Sequence, residues 1–132
     1  MSNAATPKTV ILIILLVLVV VVAIVGTVLF RTTANQVADI VITTPDLDNI
    51  EDGTYKGSFE TQMVAATVAV NVKDHRIVAI DLLEHKTGRG KPAEVITAEV
   101  VAKQSLQVDT ITGATASSQV ILKAIEVALE QG

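Results

Sequence analysis

From Val10 to Phe30 the chain reads VILIILLVLVVVVAIVGTVLF, with no charge and only Gly26 and Thr27 to dilute it. A helix of that length spans roughly 30 Å, the thickness of a bilayer's hydrocarbon core. A cleavable signal peptide has a shorter apolar region, roughly 7–15 residues, followed by small residues at the cut. Here the run is longer and Arg31 follows it directly, so an uncleaved single-pass membrane anchor is expected. Its many Val and Ile residues are no obstacle, because backbone groups in lipid must pair internally and helix has little competition. Lys8 precedes the span and Arg31 follows it. The positive-inside count is nearly tied, and the free amino terminus tips it toward a cytoplasmic N-terminus. The reading is therefore a short cytoplasmic segment over 1–9, an anchor over 10–30 in the cell membrane, a linker over 31–45 and an extracytoplasmic domain over 46–132.

The chain has no cysteine. That excludes disulfides, thiolate-held iron–sulfur clusters, thioether-linked haem and a lipoprotein acyl anchor. His75 and His85 are its imidazoles, and neither has a companion cluster of ligands, so no metal site is expected. A net charge of −4 argues against nucleic acid as a partner.

Beyond the linker the pattern predicts an α+β fold, a small antiparallel sheet with two packed helices, preceded by the one N-terminal transmembrane helix. Within 31–45, Ile40 to Ile42 is a short apolar run that either forms a stray strand or packs on the domain. TYKGSFE alternates Tyr55, Gly57 and Phe59 against Thr54, Lys56 and Ser58. VAATVAVNV puts Val64, Ala66, Val68, Val70 and Val72 on one face and the small Ala65, Thr67, Ala69 and Asn71 on the other. That small face suits close approach, most simply by a packed helix and otherwise by a ligand ring. Lys73 to Arg76 reads as a tight turn, and IVAIDLLE, apolar on both faces, reads as a central strand. Pro92 fits the first turn of a helix carrying Ala93, Ile96 and Val100, with Glu99 and Lys103 spaced for an i,i+4 pair. A final helix follows from Ser117, with Gln119, Lys123, Glu126 and Glu130 as its polar stripe.

Between those helices lies DTITGATASS, Asp109 to Ser118, with hydroxyl side chains on a Gly-Ala turn at a helix entrance. Free N–H groups and the positive helix end favour a phosphate there. Taken alone, the same residues also describe an ordinary helix cap.

DGTYKGSFE, VNVKDHRIVAIDLLEH, the Gly-containing loop after it and DTITGATASSQVILKAIEVAL together resemble the FMN-binding domain family. Its members include flavin subunits of the Rnf complex and of the sodium-pumping NADH:quinone reductase, and shorter membrane-anchored relatives. The resemblance covers about Asp46 to Gly132. Its most specific element is the Asp-x-x-[Ser/Thr]-Gly-Ala-Thr signature, met by Asp109, Thr112, Gly113, Ala114 and Thr115. It implies that Thr115 carries covalent FMN, joined through the phosphate by a phosphoester bond made from FAD and magnesium by a flavin transferase. Ser117 and Ser118 are then further hydroxyl donors, and Asp109 shapes the turn or is recognised by the transferase. The chain departs from the family in having Asp74-His75 where Asp-Gly is usual, and in being much shorter than the pump subunits.

The domain has only Tyr55 and Phe59 as aromatic residues. Contact with a flavin ring comes from these or from aliphatic side chains such as Met63, Leu82 and Leu83, and core packing is the simpler role for the two aromatics. Lys86, Arg89 and Lys91 form either a solvated basic loop or an approach to the flavin phosphate. Glu84 and His85 read as a surface pair or as a proton relay. The expected function is an electron carrier between a membrane donor and an extracytoplasmic redox acceptor. The alternatives are an accessory flavin subunit of a membrane redox complex and a flavin-dependent reductase of a small substrate.

Overall fold

The computed structural model describes residues 6–38 and 40–132. Residues 1–5 of the expected N-terminal segment, and residue 39 of the expected linker, lie outside the described residues. The chain divides into two compact units, Met1–Gln36 and Val37–Gly132.

The first unit is built on helix α1, Pro7–Ala38. Its stretch Pro7–Leu29 is long and apolar enough to cross a membrane, with none of it buried by protein. The Thr27 hydroxyl turns back onto its own helix, reaching the carbonyls of Ala23 (3.0 Å) and Ile24 (2.8 Å). A polar side chain satisfied in this way costs little in an apolar run. Where the sequence suggests a linker from Arg31, α1 continues to Ala38.

The second unit is a three-stranded antiparallel sheet with helices on one face. Strands β1 (Gly53–Glu60), β2 (Ala65–Lys73) and β3 (Arg76–Lys86) run in the order β1-β2-β3. Helix α2 (Ile96–Lys103) packs on β3, and α3 (Thr115–Leu129) packs on β1 and β2. Two 3-10 turns, Leu47–Asn49 and Lys91–Val95, complete the unit. This is the α+β fold that the pattern predicts.

The alternation in β2 decides which face is covered. Val68, Val70 and Val72 are buried against α3 together with Val120, Ile121, Ala124 and Ile125. Gly57 on β1, paired with Val68, lets the helix come close. A Cβ there would run into the Ala124 carbonyl oxygen and the Ala128 amide nitrogen.

Two expectations are corrected. The small face of β2 is not the helix platform. It carries a polar cross-strand ladder in which Ser58 meets Thr67 (2.9 Å) and Thr54 donates to Asn71 (2.5 Å). Nor is β3 central, since β2 occupies that place. The register against β2 shifts between Thr67 and Val68 and between Asn71 and Val72, skipping Leu83 and Val78 on β3. These two bulge residues are 51% and 52% exposed. Bulges break the period of two, which is why β3 reads as apolar on both faces.

The β2–β3 turn is tight, as expected, with Asp74 at φ 51° and His75 at φ 59°. Both central residues at positive φ make it a type I′ hairpin turn.

The segment after α1 is tied into this unit without forming a strand. Ile40 and Ile42 pack on the core. Glu126, only 4% exposed, accepts the Thr43 N–H (3.1 Å) and pairs with Lys123 (2.7 Å). Lys123 also donates to the Val41 carbonyl (3.2 Å). On the other side Gln107 donates to the Ile42 carbonyl (2.8 Å), and the Thr44 hydroxyl accepts the Leu106 N–H (3.0 Å). The expected polar stripe of α3 thus faces this strap at Lys123 and Glu126.

Candidate functional site

The signature folds into a turn that launches a helix. The Ala114 N–H donates to the Ile111 carbonyl at 2.9 Å, and Gly113 between them has φ +79°. That is the position of a type II turn that requires glycine. The Ser118 hydroxyl locks the turn, accepting the Ile111 N–H (3.0 Å) and donating to the Ala114 carbonyl (2.8 Å).

Thr115 is the first residue of α3, two residues earlier than the pattern suggests, and is exposed. Ala114 occupies the N-cap with no side-chain cap, and the first turn contains no acidic residue. The amides at this helix end and its positive dipole are therefore open to an anion.

Beside Thr115 lies a cleft of about 380 Å³, bounded by Met63 and Val64 after β1, Gly88 and Arg89 after β3, and Gly113 to Ser117. At Gly88 and Gly113 nothing stands within 4 Å of where a Cβ would project. Gly90 differs, because a Cβ there would strike the hydroxyls of Ser117 and Thr87. Thr87 accepts the Gly90 N–H (2.9 Å) and pairs with the Ser117 hydroxyl (3.0 Å), bracing the loop after β3 against the first turn of α3.

Of the sequence-derived site residues, Gly113, Ala114, Thr115 and Ser117 meet at this cleft, while Thr112 is exposed on the turn. Ser118 is fully buried and spends its one proton on Ala114, so it has none for a phosphate. Ser117, 2% exposed, is engaged with Thr87. Asp109 is exposed and lines a different hollow, with Ile40, Ile42, Gln119 and Leu122.

The basic loop divides. Arg89 borders the cleft, Lys86 lies with Glu84 in a hollow on the open sheet face, and Lys91 is exposed at the start of a 3-10 turn. Glu84 and His85 are not a pair. The His85 ring is 3% exposed, with Nδ1 against Glu94 at 3.1 Å and Nε2 buried without a hydrogen-bond partner among the described residues. Tyr55 and Phe59 both pack against the core. Thr87, Gly90 and Val64 also belong to the cleft, and in the sequence only the glycine spacing of the loop points to them.

An exposed hydroxyl, an uncapped helix end, a cation and a cleft of ligand size fit a phosphate-bearing cofactor. No curated protein matches the chain. The profile of the FMN-binding domain matches residues 61–130, which includes β2, β3, α2, the signature turn and α3. The chain is a flavin-binding protein of the FMN-binding domain family.

Proposed function

We propose that this protein is a membrane-anchored electron carrier whose FMN is joined through its phosphate to Thr115. The observation that carries this is the Thr115 hydroxyl, exposed at the uncapped start of α3 and opening on a cleft that Gly88 and Gly113 keep clear. Attachment forms a bond from Thr115 Oγ1 to the flavin phosphorus. It breaks the pyrophosphate link of FAD, releases AMP and passes the hydroxyl proton to a flavin transferase. The bound flavin supplies one- and two-electron chemistry. This chain's own residues hold it: Thr115 tethers, Arg89 and the α3 amides balance the phosphate charge, and the Thr87–Ser117 brace fixes the loop that carries Arg89.

Tethering suits a domain with little aromatic surface, since a covalent link replaces affinity with high effective concentration. The apolar stretch Pro7–Leu29 anchors the chain in the membrane, with the domain outside the cytoplasm. There the flavin exchanges electrons between a membrane donor and an extracytoplasmic redox acceptor.

The test is co-expression with a flavin transferase, read by in-gel flavin fluorescence and intact mass. The wild type is expected to gain one FMN, Thr115→Ser to retain labelling and Thr115→Ala to lose it. An unlabelled wild type, or a labelled Thr115→Ala, overturns the assignment.

A further inference from the structure

An isoalloxazine ring held at Thr115 needs apolar surface, yet the cleft beside Thr115 contains no aromatic side chain. Tyr55 and Phe59 are packed against the core, and the Tyr55 hydroxyl is fixed on the Glu51 carbonyl at 2.8 Å. Leu82 also packs against the core, and Leu83 sits on a bulge of β3; neither borders the cleft. The apolar lining is Met63, Val64, Ala114 and Ala116. Val64 and Ala114 are already buried, at 8% and 5% exposure.

Met63 is different. It is 69% exposed, an unusual state for a large apolar side chain at a cleft. Its backbone is nonetheless held. Thr61 N–H donates to the Val64 carbonyl at 2.8 Å, and the Thr61 hydroxyl accepts the Val64 N–H at 3.2 Å. Met63 therefore stands at the tip of a fixed turn, with three rotatable bonds and a polarizable sulfur that favours aromatic rings.

Resting on the flavin reading above, we propose that Met63 is the cover of the flavin tethered at Thr115, its thioether side chain packing on the ring and excluding water from it. The other apolar groups of the cleft are short and embedded, so they form the floor. Among these apolar groups, Met63 alone has the reach to fold over a ring that the tether delivers.

The experiment uses the full chain, flavinylated by co-expression, as wild type, Met63→Ser and Met63→Leu. Intact mass gives the flavin load, and iodide quenching of the bound flavin's fluorescence gives its exposure. Met63→Ser is expected to raise the quenching constant at least about twofold, and Met63→Leu to restore it near wild type by replacing the apolar volume. A flavinylated wild type quenched as readily as Met63→Ser overturns this assignment alone. A wild type without flavin overturns the flavin reading and this one with it. Because Met63 is exposed on a turn, far-UV circular dichroism is expected to be the same in all three.

Discussion

Gln104 closes the free edge of the sheet at Ile77. Its Oε1 accepts the Ile77 N–H at 2.8 Å, and its Nε2 donates to the Ile77 carbonyl at 2.8 Å. One side chain thus pairs with an edge strand as a neighbouring strand does. Gln104 ends α2 in a left-handed conformation, φ 52°, and Nε2 also donates to the Val101 carbonyl at 2.6 Å. Covering an edge in this way removes a template for pairing with other chains.

Gln104→Leu removes these bonds and leaves the N–H of Ile77, a residue only 1% exposed, without a partner. The expected cost is about 1–3 kcal/mol, read as a lower urea midpoint at unchanged slope. Gln104→Glu is expected to be no better, because it places a carboxylate oxygen against the Ile77 carbonyl.

His75 sits at φ 59° in a turn that favours glycine at that position. His75→Gly is expected to stabilise the domain by roughly 0.5–1 kcal/mol, because the left-handed penalty outweighs the added chain entropy of glycine. A thermal melt checks the sign, and a lower melting temperature rules the argument out.

Gly57→Ala places a methyl group against the α3 backbone, which cannot yield as a side-chain tip does. Overpacking of this kind costs about 1–3 kcal/mol or more. Because α3 carries Thr115, flavin loading is expected to fall together with stability. Loading that persists in a destabilised variant would separate the two.

Glu126→Gln keeps an acceptor for the Thr43 N–H and loses the charge facing Lys123, whereas Glu126→Ala loses both. The alanine variant is expected to lose about 2 kcal/mol and the glutamine variant less. Chemical denaturation orders them, and equal losses would mean that the ion pair carries the whole effect.

Thr115→Ala is expected to leave stability within about 0.5 kcal/mol of wild type, since Thr115 is exposed and its hydroxyl enters no hydrogen bond among the described residues. A melting temperature matching that of the unflavinylated wild type checks this. It would also assign any loss of labelling to the missing hydroxyl.

What the sequence shows, and what it hides, follows from the range of each interaction. The strands are legible because Val64 to Val72 alternate, and the turn at Gly113 is legible because its positive φ is a local demand. The edge position of β3 is hidden, because the two bulges at Val78 and Leu83 interrupt the alternation that would have exposed it. The small face of β2 suggests a helix platform, yet the close approach is made at Gly57 on the other face. At the site, Thr115 is one of five hydroxyl residues in its decapeptide, and the family signature is what singles it out. The Thr87–Ser117 brace joins residues 30 positions apart, and the hollow that Asp109 lines is shared with the distant Ile40 and Ile42, so neither leaves a pattern in sequence.

The sheet has one helix-covered face, and α3 supplies most of the cover over β1 and β2. Val68 and Val70 are therefore without shelter during synthesis until α3 has been made, and the expected acceptor Thr115 is the first residue of that same helix. A chain truncated before α3 has neither a finished core nor a hydroxyl to modify. Flavin on Thr115 would then mark only molecules translated at least as far as the start of the helix that closes their sheet.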